Sequence, residues 1–196
     1  RSILVARNGD LLIGTKGGGI DVFNPEGNHI REITMKNGLS NNSVLCFHER
    51  PDGSIWTGTD GYGVDIISPD YSDIRNFPRS FGDRNPLNFA SVYRILEDSD
   101  HNLFLGTSGY GVIMVEFDKN NLAMPVHSEQ LVLDKSIDPG WQQKQIVYAL
   151  ASEKPGIIWA GTRGMGVFRY NTINKRIIAH YSTTSHPGEI SNDDIL

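Results

Sequence analysis

The sequence predicts an all-β fold, a β-propeller with four four-stranded blades present. Three observations lead there. One short motif recurs four times, as "GTKGGG" (Gly14–Gly19), "GTDGYG" (Gly58–Gly63), "GTSGYG" (Gly106–Gly111) and "GTRGMG" (Gly161–Gly166). Each copy sits at the same place in a train of four short runs rich in Val, Ile, Phe, Tyr and Trp and bounded by Gly, Pro, Asn or Asp, which are strand and turn signals. No window of 11 residues carries a helical apolar period, so almost no helix is expected. Four strands in a repeat of about 40–50 residues is the pattern of a propeller blade. A lone meander of this kind cannot bury both of its faces, whereas stacked blades do.

The Gly-Thr pairs recur at intervals of 44, 48 and 55 residues, and the match extends beyond them. The first and second strands of each unit, with the turn between, are read from "SILVARNGDLLIGT", "VLCFHERPDGSIWTGT", "VYRILEDSDHNLFLGT" and "VYALASEKPGIIWAGT". Third strands follow in "GIDVFNP", "GVDIISP", "GVIMVEFD" and "GVFRYN". Fourth strands are placed at His29–Thr34, Asp73–Phe77, Glu129–Leu133 and Arg176–Tyr181. The units run 1–44, 45–92, 93–147 and 148–196 within one incomplete propeller. "SNDDIL" (Ser191–Leu196) aligns with "SNNSVL" (Ser40–Leu45), and Arg1 aligns with Leu45, so the chain starts and stops at the same phase inside a first strand. It is therefore expected to be a fragment of a larger propeller. Standing free, it would expose two unpaired blade faces, which invite association, including a homodimer.

A glycine-rich loop can cradle phosphate, but that use needs a strand-to-helix junction. Here each loop runs straight into a strand pattern, and none ends in Gly-Lys-Ser/Thr. The physical reading is a tight connection between second and third strands, with Gly allowing positive φ and close backbone approach. Thr15, Thr59, Thr107 and Thr162 are expected to tie their hydroxyls to nearby backbone.

Composition narrows the function. With 18 basic and 23 acidic residues the formal charge is −5, which leaves no basic patch for nucleic acid. No run approaches the roughly 18 apolar residues of a membrane helix, so any link to a membrane is expected through a parent chain. The lone Cys46 forms neither a disulfide framework nor a cysteine metal site, and reads as a small core residue. No cofactor or metal is expected. "EDSDHN" (Glu97–Asn102) places two acids near a His, but it occupies a strand-strand turn and lacks the spaced oxygens of a calcium loop. Trp56 and Trp159 share one repeat position and are expected in the core between blades. Asp21 and Asp65 share another, with a structural hydrogen-bond role.

The combination W-x-G-T-x-G-x-G-[VI], clearest in "IWTGTDGYGVDIISP" (Ile55–Pro69), with "NGLSNNSV" (Asn37–Val44), resembles the two-component regulator propeller repeat. All four units fit. "NGLSNN" decays to "NPLNFA" in the second linker and is lost in the third, "DPGWQQKQ". The resemblance implies seven-bladed propellers, often in tandem, in the periplasmic sensor region of hybrid two-component histidine kinases of Bacteroidetes. It further implies an inner-membrane parent protein that links recognition of a glycan-derived oligosaccharide to transcription of polysaccharide-use genes. The expected partners are then that oligosaccharide and the rest of the propeller and ectodomain.

In a propeller the second-to-third loops and the inter-blade linkers open on one face. Positions that vary inside a constant frame are not needed for the frame, so Lys16, Asp60, Tyr62, Tyr110 and Arg163 in the loops are candidate ligand contacts. Arg84, Trp141 and Gln142 in the linkers join them. Tyr62, Tyr110 and Trp141 offer flat apolar faces with a polar edge, and Lys16, Arg84 and Arg163 suit an anionic group. The third unit is the longest, which points to an elaborated loop. The competing reading for each residue is packing or a solvated charge. Three functions follow: a ligand sensor without chemistry of its own, a protein-interaction propeller, and a propeller lyase or hydrolase. Against the last, no acid or His recurs at the loop positions.

Overall fold

A computed structural model describes residues 2–77, 90–118, 121–131, 133, 145–184 and 189–196; of residues 121–124 only the backbone is described. The chain divides into two compact units, 1–95 and 96–196. In the first, β1 (Ser2–Val5), β2 (Leu11–Gly14), β3 (Ile20–Phe23) and β4 (His29–Ile33) form one antiparallel meander. A second comprises β5 (Val44–Glu49), β6 (Ile55–Thr59), β7 (Val64–Ile67) and β8 (Ile74–Phe77). β9 (Val92–Glu97) begins in the first unit and ends in the second. The second unit holds β10 (Leu103–Gly109), β11 (Val112–Asp118) and β12 (Asn121–Leu131), then the meander β13 (Gln145–Lys154), β14 (Ile157–Thr162), β15 (Val167–Asn171) and β16 (Arg176–Tyr181). β9 pairs with β10, and β10 also pairs with the start of β13 (Ser108 with Ile146, Gly109 with Gln145). The two meanders thus run together as one eight-stranded sheet where separate four-stranded blades were expected. No α-helix occurs among the described residues.

Strand alternation puts one set of side chains on each face of every sheet. In the first unit Leu12, Ile20, Val22 and Ile33 of one meander share a core with Val44, Ile55 and Ile67 of the next. In the second unit Phe104, Val112, Met114 and Leu131 meet Val147, Ile158, Ala160, Phe168 and Tyr170. The same repeat positions therefore face forward (Leu12 and Phe104) and backward (Ile55 and Ile158) in both units. Each such burial contributes about 1.5–3 kcal/mol.

The first glycine of each loop explains how the sheets come so close. A Cβ on Gly14 would lie 2.6 Å from Val44 Cγ1, and on Gly161 2.5 Å from Ile195 Cγ2. Neither glycine has positive φ, so at this position the need is space. The last glycine differs: Gly19 has φ 82°, and a side chain there would also run into the Ile33 carbonyl.

Three further details depart from the sequence expectations. The outer strand of the third meander is β12, Asn121–Leu131, where Glu129–Leu133 was expected. Asp118 pairs with Asn121, so the chain reverses at once and lines the whole of β11. A one-turn 3₁₀ helix, Met35–Asn37, stands in the first linker, with Thr34 and Asn37 forming a capping box and Gly38 (φ 109°) closing it. Trp56 is 2% exposed, in keeping with a core residue, but Trp159 is only half-buried. Trp159 holds the forward-facing position of Leu12 and Phe104.

Candidate functional site

The "GTxGxG" loops and the linkers are stitched together by one repeated pattern. Thr15, Thr59, Thr107 and Thr162 each donate Oγ1 to the carbonyl four residues on, at Gly19, Gly63, Gly111 and Gly166, as expected from the sequence. Each Thr backbone N–H donates to the same carbonyl. The linker then feeds the loop: the Asn42 carbonyl accepts from Gly17 N (3.0 Å) and Gly19 N (2.8 Å), and Val44 N donates to Thr15 O. Ala90, Gln145 and Asp193 repeat the first role, accepting from Gly63, Gly111 and Gly166. Ile195 N donates to Thr162 O as Val44 N does to Thr15 O. In the first loop the N–H groups of Gly17, Gly18 and Gly19, which a phosphate would need, are thus consumed by the frame. Thr162→Val is expected to lower stability by about 1 kcal/mol and the melting temperature by about 2–4 °C. Thermal denaturation checks this, and an unchanged melting point would leave the backbone bond as the whole tie.

Within this frame the candidate side chains project from two edges. In the first unit Lys16 and Asp60 flank one residue, Ser43. Lys16 bridges to it, and Asp60 N donates to its carbonyl (3.0 Å). Both are exposed, and Tyr62, two residues on, is 56% exposed. In the second unit Tyr110 bridges to Gln145, and Arg163 N donates to Ile146 O (2.9 Å), so these two flank the first two residues of β13. Tyr110 is half-buried and Arg163 exposed. Arg84, Trp141 and Gln142 lie outside the described residues.

The Asp60 carboxylate is not free: Ser91 Oγ donates to it at 2.7 Å, and Asn41 Nδ2 donates to its carbonyl at 2.8 Å. Sequence reasoning passed over Ser91. The signal for it was available, since Ser43 and Ser91 occupy one repeat position. Beneath this edge Asp65 is fully buried, accepting from Ser40 N (2.9 Å), Ser40 Oγ (2.8 Å) and Asn76 Nδ2. Burial raises its pKa above the ordinary aspartate value, and the bonds from Ser40 and Asn76 only partly offset this. Asp21, at the same repeat position, is 38% exposed and pairs with His29 Nε2 at 2.9 Å. Both aspartates are thus structural hydrogen-bonding groups.

Glu97–Asn102 is a turn, as read. Asp98 Oδ1 accepts from the N–H groups of Asp100 and Asn102, and His101 sits at φ 64° with Nδ1 on Glu97. No group of three or more His, Cys, Asp or Glu residues able to hold a metal is found among the described residues. Cys46 is buried, and burial pushes its thiol up to about 12. No helix among the described residues is long and apolar enough to cross a membrane.

Residues 38–61 and 86–109 match the model of the family described as "Two component regulator propeller". No curated protein matches the chain by sequence. Among solved structures, the extracellular domain of BT3049 from B. thetaiotaomicron, described as that of a hybrid two component system, is similar over 97% of this chain and 23% of its own. The TM-score is 0.73 at 24% identity. PorZ of Porphyromonas gingivalis, a surface component of the type-IX secretion system, is similar over 99% of this chain and 28% of its own, with TM-score 0.69 at 16% identity. The β-propeller domain of Cps50 (Swd1) from Myceliophteria thermophila is similar over 97% of this chain and 55% of its own, with TM-score 0.66 at 14% identity. The fold is that of a β-propeller, and the chain spans about a quarter of the two longer bacterial proteins.

Proposed function

We propose that this chain, which carries repeats of the two-component regulator propeller family, is a ligand-sensing part of the periplasmic region of a hybrid two-component sensor kinase. It performs no chemistry itself. The ligand is an oligosaccharide derived from a glycan, and binding favours one arrangement of the receptor, and so its signal to transcription, by differential affinity. The parent propeller is seven-bladed and its kinase lies across the inner membrane.

One observation carries the reading. The loops, each held by its threonine to the frame, carry unlike side chains at one repeat position: Lys16, Asp60, Ser108 and Arg163. Tyr62 and Tyr110 stand two residues further on. A stacking ring beside charged and hydroxyl groups suits a sugar bearing an anionic substituent. The likeness to a two-component extracellular domain supports the same reading.

The test is a thermal-shift screen of the chain against neutral and acidic oligosaccharides, repeated with Tyr62→Ala and Arg163→Ala. A saccharide present at 100 times its Kd stabilises by about 2.7 kcal/mol, and the shift should fall in at least one variant. No shift with any saccharide, alongside capture of a protein partner, would support the interaction-propeller reading, which the likeness to PorZ favours.

A further inference from the structure

One repeat position carries a side chain with a different task in each copy. Asn42, Ala90, Gln145 and Asp193 share it, because each lends its carbonyl to the last glycine of a loop. Asn42 Oδ1 accepts from Met35 N at 2.8 Å, and Asp193 accepts from Thr183 N (2.7 Å) and Thr183 Oγ1 (2.6 Å), so both cap the start of their own linker. Ala90 has no polar side chain. Gln145 differs from all three. It is 1% exposed, and neither its amide oxygen nor its amide nitrogen has a hydrogen-bond partner among the described residues. By strand register Leu133 stands where Met35 and Thr183 do, and it is buried without bonding to that amide. Gln145 is one methylene longer than Asn42, and its Oε1 lies against the third loop, 2.8 Å from where a Cβ on Gly111 would be. A buried amide without partners is destabilising by its lost hydration. The frame accepts Asn, Ala or Asp here, so it does not require this one.

The same spot gathers loop residues of the second unit. Tyr110 bridges to Gln145, Ser108 pairs with Ile146, and Arg163 N donates to Ile146 O. We propose that Gln145 is the specificity-determining contact of this site, reading two adjacent hydroxyls of a uronic acid whose carboxylate meets Arg163 and whose ring lies on Tyr110. This rests on the oligosaccharide reading above and narrows it to one class of sugar. A carboxamide offers an accepting oxygen and two N–H donors, so it accepts from one hydroxyl and donates to its neighbour. Turning the side chain toward the loop breaks no hydrogen bond, since it makes none in the unliganded chain. Arg163 is exposed, and a guanidinium fork matches a carboxylate with two parallel bonds. A site built to bond hydroxyls rejects a sugar that lacks one, because the amide is then left unpaired again.

Calorimetric titration with tetrasaccharides of galacturonic, glucuronic and mannuronic acid tests this, with cellotetraose as the neutral control and the melting temperature of each unliganded variant measured alongside. At least one uronic tetrasaccharide should bind, and cellotetraose should not. Gln145→Leu should weaken that binding by about 10–100-fold while the unliganded melting temperature holds or rises. Gln145→Asn, which puts the amide where Asn42 carries its own, should keep the fold and weaken binding as well. A clear fall in the melting temperature of unliganded Gln145→Leu would make Gln145 a structural residue and overturn the proposal. If a uronic tetrasaccharide binds wild type and Gln145→Leu equally, the sensor reading stands and this proposal falls. Binding of cellotetraose alone would likewise keep the sensor and remove the uronic acid. If wild type binds no saccharide, both fall.

Discussion

Gly58→Ala is expected to cost about 3 kcal/mol, lowering the melting temperature by about 6–12 °C. A Cβ at Gly58 would lie 2.5 Å from both Cys46 Sγ and the Val92 carbonyl oxygen. Cys46 is 5% exposed and its thiol already rests on that carbonyl, at 3.4 Å. Neither neighbour is the end of a flexible surface chain, so the added methyl must displace the start of β9. Chemical denaturation would show the loss, and Gly61→Ala is the comparison. Gly61 has φ 87° with nothing within 4 Å of a new Cβ, so only the backbone term, about 1 kcal/mol, applies. Equal losses at both positions would remove close approach as the reason for the first glycine.

The second large effect is expected at Asp65. Asp65→Ala strands the Ser40 N–H and hydroxyl and the Asn76 amide, and should cost about 2–4 kcal/mol. Asp65→Asn keeps an acceptor for Ser40 and should cost less. Ser40→Ala added to Asp65→Ala should cost little more, because the two share one tie. The sign of the pH effect follows from burial. The folded pKa is raised above the ordinary 3.8, so between 3.8 and the raised value the folded chain holds more proton than the unfolded one. The Asp65 contribution therefore declines as pH rises through that window and is level above it. Urea titrations of wild type and Asp65→Asn across acidic pH would isolate this slope. An identical slope in both would remove Asp65 as its source.

Much of this site was legible because the frame repeats. The hydroxyl of Thr15, Thr59, Thr107 or Thr162 finds the carbonyl four residues on whatever the neighbouring sheet carries, so a fourfold local pattern was enough to place it. Asp21 and Asp65 look alike in sequence, yet one is 38% exposed and the other fully buried. The difference lies in Ser40, 25 residues from Asp65 along the chain, and spacing within one repeat does not reveal it. Trp56 and Trp159 part in the same way, since burial belongs to the sheet that covers a residue. The outer strand of the third meander was misjudged because "EQLVL" is the more apolar run, while the reversal from Asp118 to Asn121 starts the strand earlier.

The sequence by itself determined the repeat, its phase, the all-strand composition and the loops at which variable side chains project. These follow from period and turn chemistry, which act over a few residues. Tertiary structure alone decided which member of each repeated set is buried and which carboxylate is desolvated. Burial and desolvation depend on what packs against a residue from elsewhere in the chain, and the same repeat position meets a different neighbour in each sheet.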